Sequence, residues 1–155
     1  MRAKSIRVLF VCTGNSARSI LAESLVNELG QGRVTGASAG SHPKGHVHPQ
    51  ALALLKRKGL PVAGLRSKSW DEFAQPGSGD LDYVITVCDA AAGEACPAWP
   101  GRPATEHWSI PDPAAVQGPG DEQRQAFENA FADLEHRIRA LLARLATGRG
   151  AARPR

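Results

Sequence analysis

The chain has 155 residues and a formal charge of +4 from 19 Lys+Arg against 15 Asp+Glu, enough for one ordinary domain whose core needs no disulfide staples. No apolar stretch approaches the roughly 20 residues that cross a bilayer, and basic residues are not interleaved with aromatics as in a nucleic-acid groove. Neither a membrane nor a nucleic acid is therefore an expected partner.

Arg2 and Lys4 precede an apolar run that stops after six residues, Ile6 to Val11, too short for a secretion signal. With no export signal and three cysteines, an odd number, the thiols are expected to be reduced and the setting cytoplasmic. Ile6 to Val11 is almost continuously apolar, the pattern of a strand buried on both faces. Ala17 to Leu29 reads as a helix, with Leu21, Leu25 and Leu29 four apart and Gly30 as its stop. Val34 to Ser38 reads as a short second strand. Pro49 starts a helix that Gly59 ends, with Leu52 and Leu55 expected to face inward. Leu81 to Val87 supplies a third strand and Thr105 to Ser109 a fourth. The closing helix is the clearest element, since Phe127, Phe131, Leu134, Ile138, Leu141, Leu142 and Leu145 recur at helical intervals and Asp121 and Glu122 suit its positive N-terminal end. Arg144, Arg149, Arg153 and Arg155 concentrate the surplus charge near the terminus. One domain over 1–147 with a disordered basic tail over 148–155 is the expectation. Strands alternating with helices predict an α/β fold around a parallel sheet.

The segment Cys12-Thr-Gly-Asn-Ser-Ala-Arg18 follows the first strand directly. Its short residues let successive backbone N–H groups curl inward as an anion-binding nest, and the loop opens into a helix whose N-terminal dipole favours negative charge. Arg18 adds a planar fork of donors that grips two oxygens at once. The same field favours the thiolate of Cys12, so Thr13, Gly14, Asn15, Ser16, Ala17, Arg18 and Ser19 read as an oxyanion cradle with a nucleophile at its floor. Gly14 and Asn15 supply permissive backbone, and Ser19 is able to hydrogen-bond a thiolate. In a parallel sheet, Cys12 after strand one, Cys88 after strand three and Pro111-Asp-Pro113 after strand four share the carboxyl-end rim, where ligands bind at the topological switch point. In the order 2-1-3-4, strands one and three are neighbours about 4.8 Å apart, close enough for Cys12 and Cys88 to exchange sulfur bonds after a modest loop movement.

Those segments, together with Ser38-Ala-Gly40, Val84-Ile-Thr-Val-Cys-Asp89, Cys96-Pro97 and His107-Trp-Ser-Ile-Pro-Asp-Pro113, resemble the low-molecular-weight protein tyrosine phosphatases, and more closely the arsenate reductases built on that fold. The resemblance spans roughly residues 5 to 145. It implies a four-stranded parallel sheet flanked by helices and reduction of arsenate to arsenite for detoxification, with no tightly bound cofactor and an external thiol reductant. By position, Cys12 matches the nucleophile, Arg18 the oxyanion-gripping arginine, Asp112 the general acid, and Cys88 with Cys96 the resolving pair. Asn15, Glu23, Ser38 and Asp71 fall where some relatives place a structural potassium ion. Seven residues separate Cys88 from Cys96, one more than in the thioredoxin-coupled relatives, so glutaredoxin with glutathione stands beside thioredoxin as electron donor.

The resemblance implies a relay in which Cys12 attacks arsenic, Asp112 protonates the departing oxygen, Cys88 takes the sulfur of Cys12, and Cys96 then takes that of Cys88. A helical Asp89–Ala95 would hold the two resolving cysteines roughly 12 Å apart, whereas a disulfide needs about 4.4–6.8 Å, so the segment has to bend or unwind. The main rival is a low-molecular-weight phosphotyrosine phosphatase using Cys12 and Asp112 with water as the second nucleophile. Against it, no aromatic residue lies between Ser41 and Gln50 to stack on an aryl substrate, Ala114 rather than an aromatic follows Asp112-Pro113, and Cys88 and Cys96 would be idle. A zinc or oxyanion-binding module built on His42, His46, His48 and the cysteines lacks a paired-cysteine spacing. His107 and Trp108 are expected to pack around a strand end, Trp70 and Trp99 to anchor loops, and Asp112 alone would also serve as a cap.

Overall fold

The computed structural model describes residues 5–93, 97–117 and 120–148. Four parallel strands, β1 (Ile6–Val11), β2 (Val34–Ala39), β3 (Tyr83–Thr86) and β4 (Ala104–His107), form one sheet in the order β2-β1-β3-β4. The helices are α1 (Arg18–Gly30), α2 (Pro49–Arg57), α3 (Asp89–Ala92) and α4 (Gly120–Gly148), with 3-10 turns at Trp70–Phe73 and Pro113–Ala115. The strand order and the parallel pairing are those the sequence predicts.

β1 is central, and Val8, Leu9, Phe10 and Val11 are all buried, as a strand covered on both faces must be. α1 lies along β2 and against α4, and α2 packs on both of those helices. Ile20, Leu21, Ala22, Leu25 and Val26 are buried around α1, so the expected leucine stripe is part of a wider apolar surface. In α2 the buried residues are Ala51, Leu54 and Leu55; Leu52, expected inward, is only half-buried because the inward face is centred on those three residues, one position round the helix. On α4, Phe127, Phe131, Leu134, Ile138, Leu141 and Leu145 are buried, as their spacing predicts.

β3 and β4 are shorter than the strands expected over Leu81–Val87 and Thr105–Ser109, and β4 begins one residue earlier, at Ala104. Leu81 and Val87 remain in the core as flanking residues, and β4 is an edge with mostly exposed side chains. Trp108 is buried against Phe10, ring centroids 5.8 Å apart, and Trp70 meets Trp99 edge-on at 6.0 Å, so these three tryptophans do pack and anchor. His107 instead stays exposed and bonds polar partners. Cys96 and residues 149–155 of the expected tail over 148–155 lie outside the described residues, Gly148 being the last residue of α4.

Candidate active site

β1 ends at Val11, and the Cys12 N–H donates to Ala39 O at 3.2 Å, tying the start of the cradle to β2. Asn15 then takes a left-handed backbone (φ 46°), which asparagine tolerates better than most residues, and the chain turns into α1 at Arg18. The segment after β2 runs alongside: the N–H groups of His42, Lys44 and His48 donate to the carbonyls of Thr13, Gly14 and Ser16, each at 2.9 Å. A trans peptide sets its C=O and N–H on opposite sides, so these bonds direct the N–H groups of Gly14, Asn15 and Ala17 the other way, as an anion nest requires. Gly40 makes this approach possible, because a Cβ there would lie 2.5 Å from Thr13 O and 2.8 Å from Cys12 O.

Cys12 is 3% exposed, and its Sγ is 2.9 Å from Ser19 Oγ. The direction of that bond follows from its neighbours. The Lys68 N–H donates to Asn15 Oδ1 at 2.8 Å, which fixes the amide so that Asn15 Nδ2 donates to Ser19 Oγ at 2.8 Å and to Ser38 Oγ at 3.0 Å. Ser19 Oγ is thus an acceptor toward Asn15, leaving its hydrogen for Cys12 Sγ. Ser38 Oγ likewise donates onward to Glu23 Oε1 at 2.6 Å. Burial raises the pKa of Glu23, opposed by the Ser38 hydrogen bond and the charges of Lys68 and Arg66.

Asn15, Glu23 and Ser38 therefore do gather at one place, but Asp71 does not join them: it lies exposed on the turn after Ser69. The cation beside Glu23 is the buried ammonium of Lys68, its Nζ 3.9 Å from Glu23 Oε1. A potassium ion on the same carboxylate would be repelled by that ammonium by about 4 kcal/mol at a separation of ~4 Å and an effective dielectric of ~20. These residues do not fit the potassium site that the resemblance implies. Lys68 carries no signal in the sequence, since a lysine in a polar loop reads as solvated.

Across the mouth, Arg18 and Asp112 meet although 93 residues lie between them. Arg18 Nη1 donates to Ile110 O at 2.9 Å, and its Nη2 is 3.7 Å from Asp112 Oδ2. Asp112 Oδ1 also accepts the Ala114 N–H at 3.0 Å, so this aspartate both caps the next turn and faces the cradle with its side chain 41% exposed. His48 caps α2 through Nδ1, which accepts the Gln50 N–H at 3.0 Å. Burial and then Lys44 lower its pKa, partly opposed by Asp112, so the imidazole favours its neutral form beside the cationic loop.

Cys88 ends the segment after β3 and is 2% exposed. Its Sγ accepts the Thr13 N–H at 3.3 Å and lies 3.6 Å from Thr13 Oγ1. The residue next to Cys12 thus holds the second sulfur, and both thiols are free. Thr13, read as a substrate-binding residue, has its N–H directed at Cys88. Behind Cys88, His107 Nε2 is 2.8 Å from Asp89 Oδ1 and His107 Nδ1 is 2.7 Å from Thr86 Oγ1. Among the described residues no cluster of three or more His, Cys, Asp and Glu side chains could hold a metal ion, and no helix is long and apolar enough to cross a membrane.

A parallel sheet whose strand β1 leads a buried cysteine into a loop with inward N–H groups, with Arg18 and Asp112 facing each other at 3.7 Å nearby, is an arrangement suited to binding an oxyanion. The family model for low molecular weight phosphotyrosine protein phosphatase matches residues 7–150, and the chain belongs to that family. Within it, the chain is similar to the glutaredoxin arsenate reductase of Synechocystis sp., 28% identical over 90% of this chain and 98% of that one. An arsenate reductase of Halalkalibacterium halodurans is 32% identical over 85% and 91%. In structure, it is similar to an arsenate reductase from Archaeoglobus fulgidus, with a TM-score of 0.68 and 29% identity over 88% and 98%.

Proposed function

We propose that this protein reduces arsenate to arsenite by a thiol relay that starts at Cys12. The observation that carries the reading is the position of Cys88, buried beside the cradle with its Sγ 3.3 Å from the Thr13 N–H, where a phosphatase needs no second thiol. The names of the relatives support arsenate as the oxyanion. The absence of any aromatic residue between Ser41 and Gln50 supports a small inorganic substrate over an aryl ester.

Arsenate enters the nest, where Arg18 and the loop N–H groups meet its oxygens. The Cys12 thiolate attacks arsenic(V), an As–O bond breaks, and Asp112 gives its proton to the departing oxygen, which leaves as water. Cys88 then attacks the sulfur of Cys12. The S–S bond forms as the As–S bond breaks, its electron pair stays on arsenic, and arsenite leaves with arsenic(III) while two thiols have become one disulfide. Cys96 next attacks Cys88, freeing Cys12 as a thiolate and leaving a Cys88–Cys96 disulfide. An external reductant, thioredoxin or glutaredoxin with glutathione, returns that pair to thiols.

The test is arsenite release from the reduced protein with each reductant system, with disulfide mapping of Cys12→Ser, Cys88→Ser and Cys96→Ser. Cys12→Ser should abolish release. Cys88→Ser should halt before a disulfide forms, and Cys96→Ser should accumulate Cys12–Cys88. Full multiple turnover by Cys88→Ser sinks the relay, and brisk phosphotyrosine hydrolysis with no arsenite establishes the phosphatase instead.

A further inference from the structure

Lys68 is 9% exposed and grips the cradle from two directions. Its backbone N–H fixes the Asn15 amide, and its carbonyl accepts the Gly40 N–H at 2.9 Å, so the main chain of Lys68 sits between the anion loop and the turn after β2. Its side chain reaches past them: Nζ donates to Arg66 O at 2.8 Å and faces Glu23 Oε1 at 3.9 Å. The buried ammonium and the part-buried carboxylate offset each other, since either one alone would be an unpaired charge largely withdrawn from water.

The consequence reaches Cys12 through an ordered set of donors. An anionic Glu23 oxygen demands the Ser38 hydrogen, so the Ser38 lone pairs are left for Asn15 Nδ2. The same Asn15 nitrogen donates to Ser19 Oγ, and the Ser19 hydrogen is directed to Cys12 Sγ. Were the Glu23 charge uncompensated, Ser38 would lose its fixed acceptor and the amide its fixed neighbour. We propose that the Lys68 ammonium is the resident cation of this site, a positioning group that takes the place of a monovalent metal ion and holds the Glu23–Ser38–Asn15–Ser19 order which presents a hydroxyl hydrogen to Cys12. This rests on Cys12 being the nucleophile of the proposed reaction and not on arsenate being its substrate.

The experiment follows alkylation of Cys12 in the reduced full-length protein by iodoacetamide, read by mass mapping of the Cys12 peptide, in potassium chloride and in choline chloride of equal ionic strength. The wild-type rate should be the same in both salts. Lys68→Ala should react about tenfold more slowly in choline, as expected for loss of order around a hydrogen bond to a charged group. Potassium should restore it, because the ammonium's neighbours, Glu23 Oε1 and the Arg66 carbonyl, are oxygen donors that suit a hard cation. Lys68→Arg, which keeps the charge, should stay near wild type. A wild-type rate that rises several-fold with potassium overturns the inference, as does Lys68→Ala matching wild type in choline. Lys68→Ala that is slow in both salts makes Lys68 merely structural and overturns it too. The wild-type comparison needs no variant to fold. Absence of arsenite release alongside the expected salt pattern counts only against the reductase reaction.

Discussion

At the residue scale the site depends on positions where no other side chain fits. Gly40 is the clearest, since a Cβ would strike backbone carbonyls on both Cys12 and Thr13, and backbone yields less easily than the end of a flexible side chain. Gly40→Ala should destabilise the protein by about 1–3 kcal/mol, the usual cost of forcing a methyl into a packed site, seen as a lower urea midpoint. It should also slow Cys12 alkylation, because relief of the clash displaces the cradle. An unchanged midpoint together with an unchanged rate would show that the loop has slack. Asn15 shows the same economy, with a left-handed backbone and a buried amide that orients two serines. The cysteine, the arginine and Ser19 were legible in the sequence because all three are fixed by local chain geometry. Lys68 was not, because burial of a lone lysine in an irregular loop leaves no periodic trace.

At the element scale the short helix α3 matters most, since it begins one residue after Cys88 and the proposed relay requires this segment to move. Its first residue, Asp89, is tethered to β4 through His107, which in turn meets Thr86 of β3. His107→Ala should release that tether and accelerate amide hydrogen exchange over Asp89–Gly93, with little change elsewhere. Exchange that stays at the wild-type rate would mean that Gly93 and the helix bonds alone hold the segment. The tether also has a pH signature. The His107 hydrogen bond, followed by one from Ser109, holds the Asp89 carboxyl below its usual 3.8. Between that lowered value and 3.8 the unfolded chain binds more protons than the folded one, so stability falls as pH falls through the interval. The contribution is complete above the usual value and lost below the lowered one. Urea midpoints of wild type and His107→Ala should therefore converge as pH drops through this window. A gap that persists at lower pH removes Asp89 as its cause.

At the scale of the whole molecule, α4 closes the core from the far end of the chain. Phe127 is fully buried and its ring lies 4.9 Å from that of His48, whose backbone N–H is bonded to Ser16 in the cradle. Phe127→Ala should cost about 3–5 kcal/mol, as for other large aromatic truncations in cores. Thermal unfolding should remain one transition with a lower midpoint, because α1, α2 and α4 share one core. A loss confined to α4, with the sheet still cooperative, would show two folding units instead.

What the sequence determined by itself is what local rules govern. The apolar run of β1, the cradle after it, the stripe along α4 and the alternation of strands with helices all follow from spacing, and the right-handed crossover then restricts the parallel order to few choices. Tertiary structure decided which distant groups share a charge or a hydrogen. Arg18 with Asp112, Cys88 with Thr13, and Lys68 with Glu23 are each pairs separated by tens of residues, and chain periodicity holds no information about them. Their meeting depends on where loops end once the sheet is assembled, and on burial, which makes an unpaired charge or an unpaired donor too costly to leave alone.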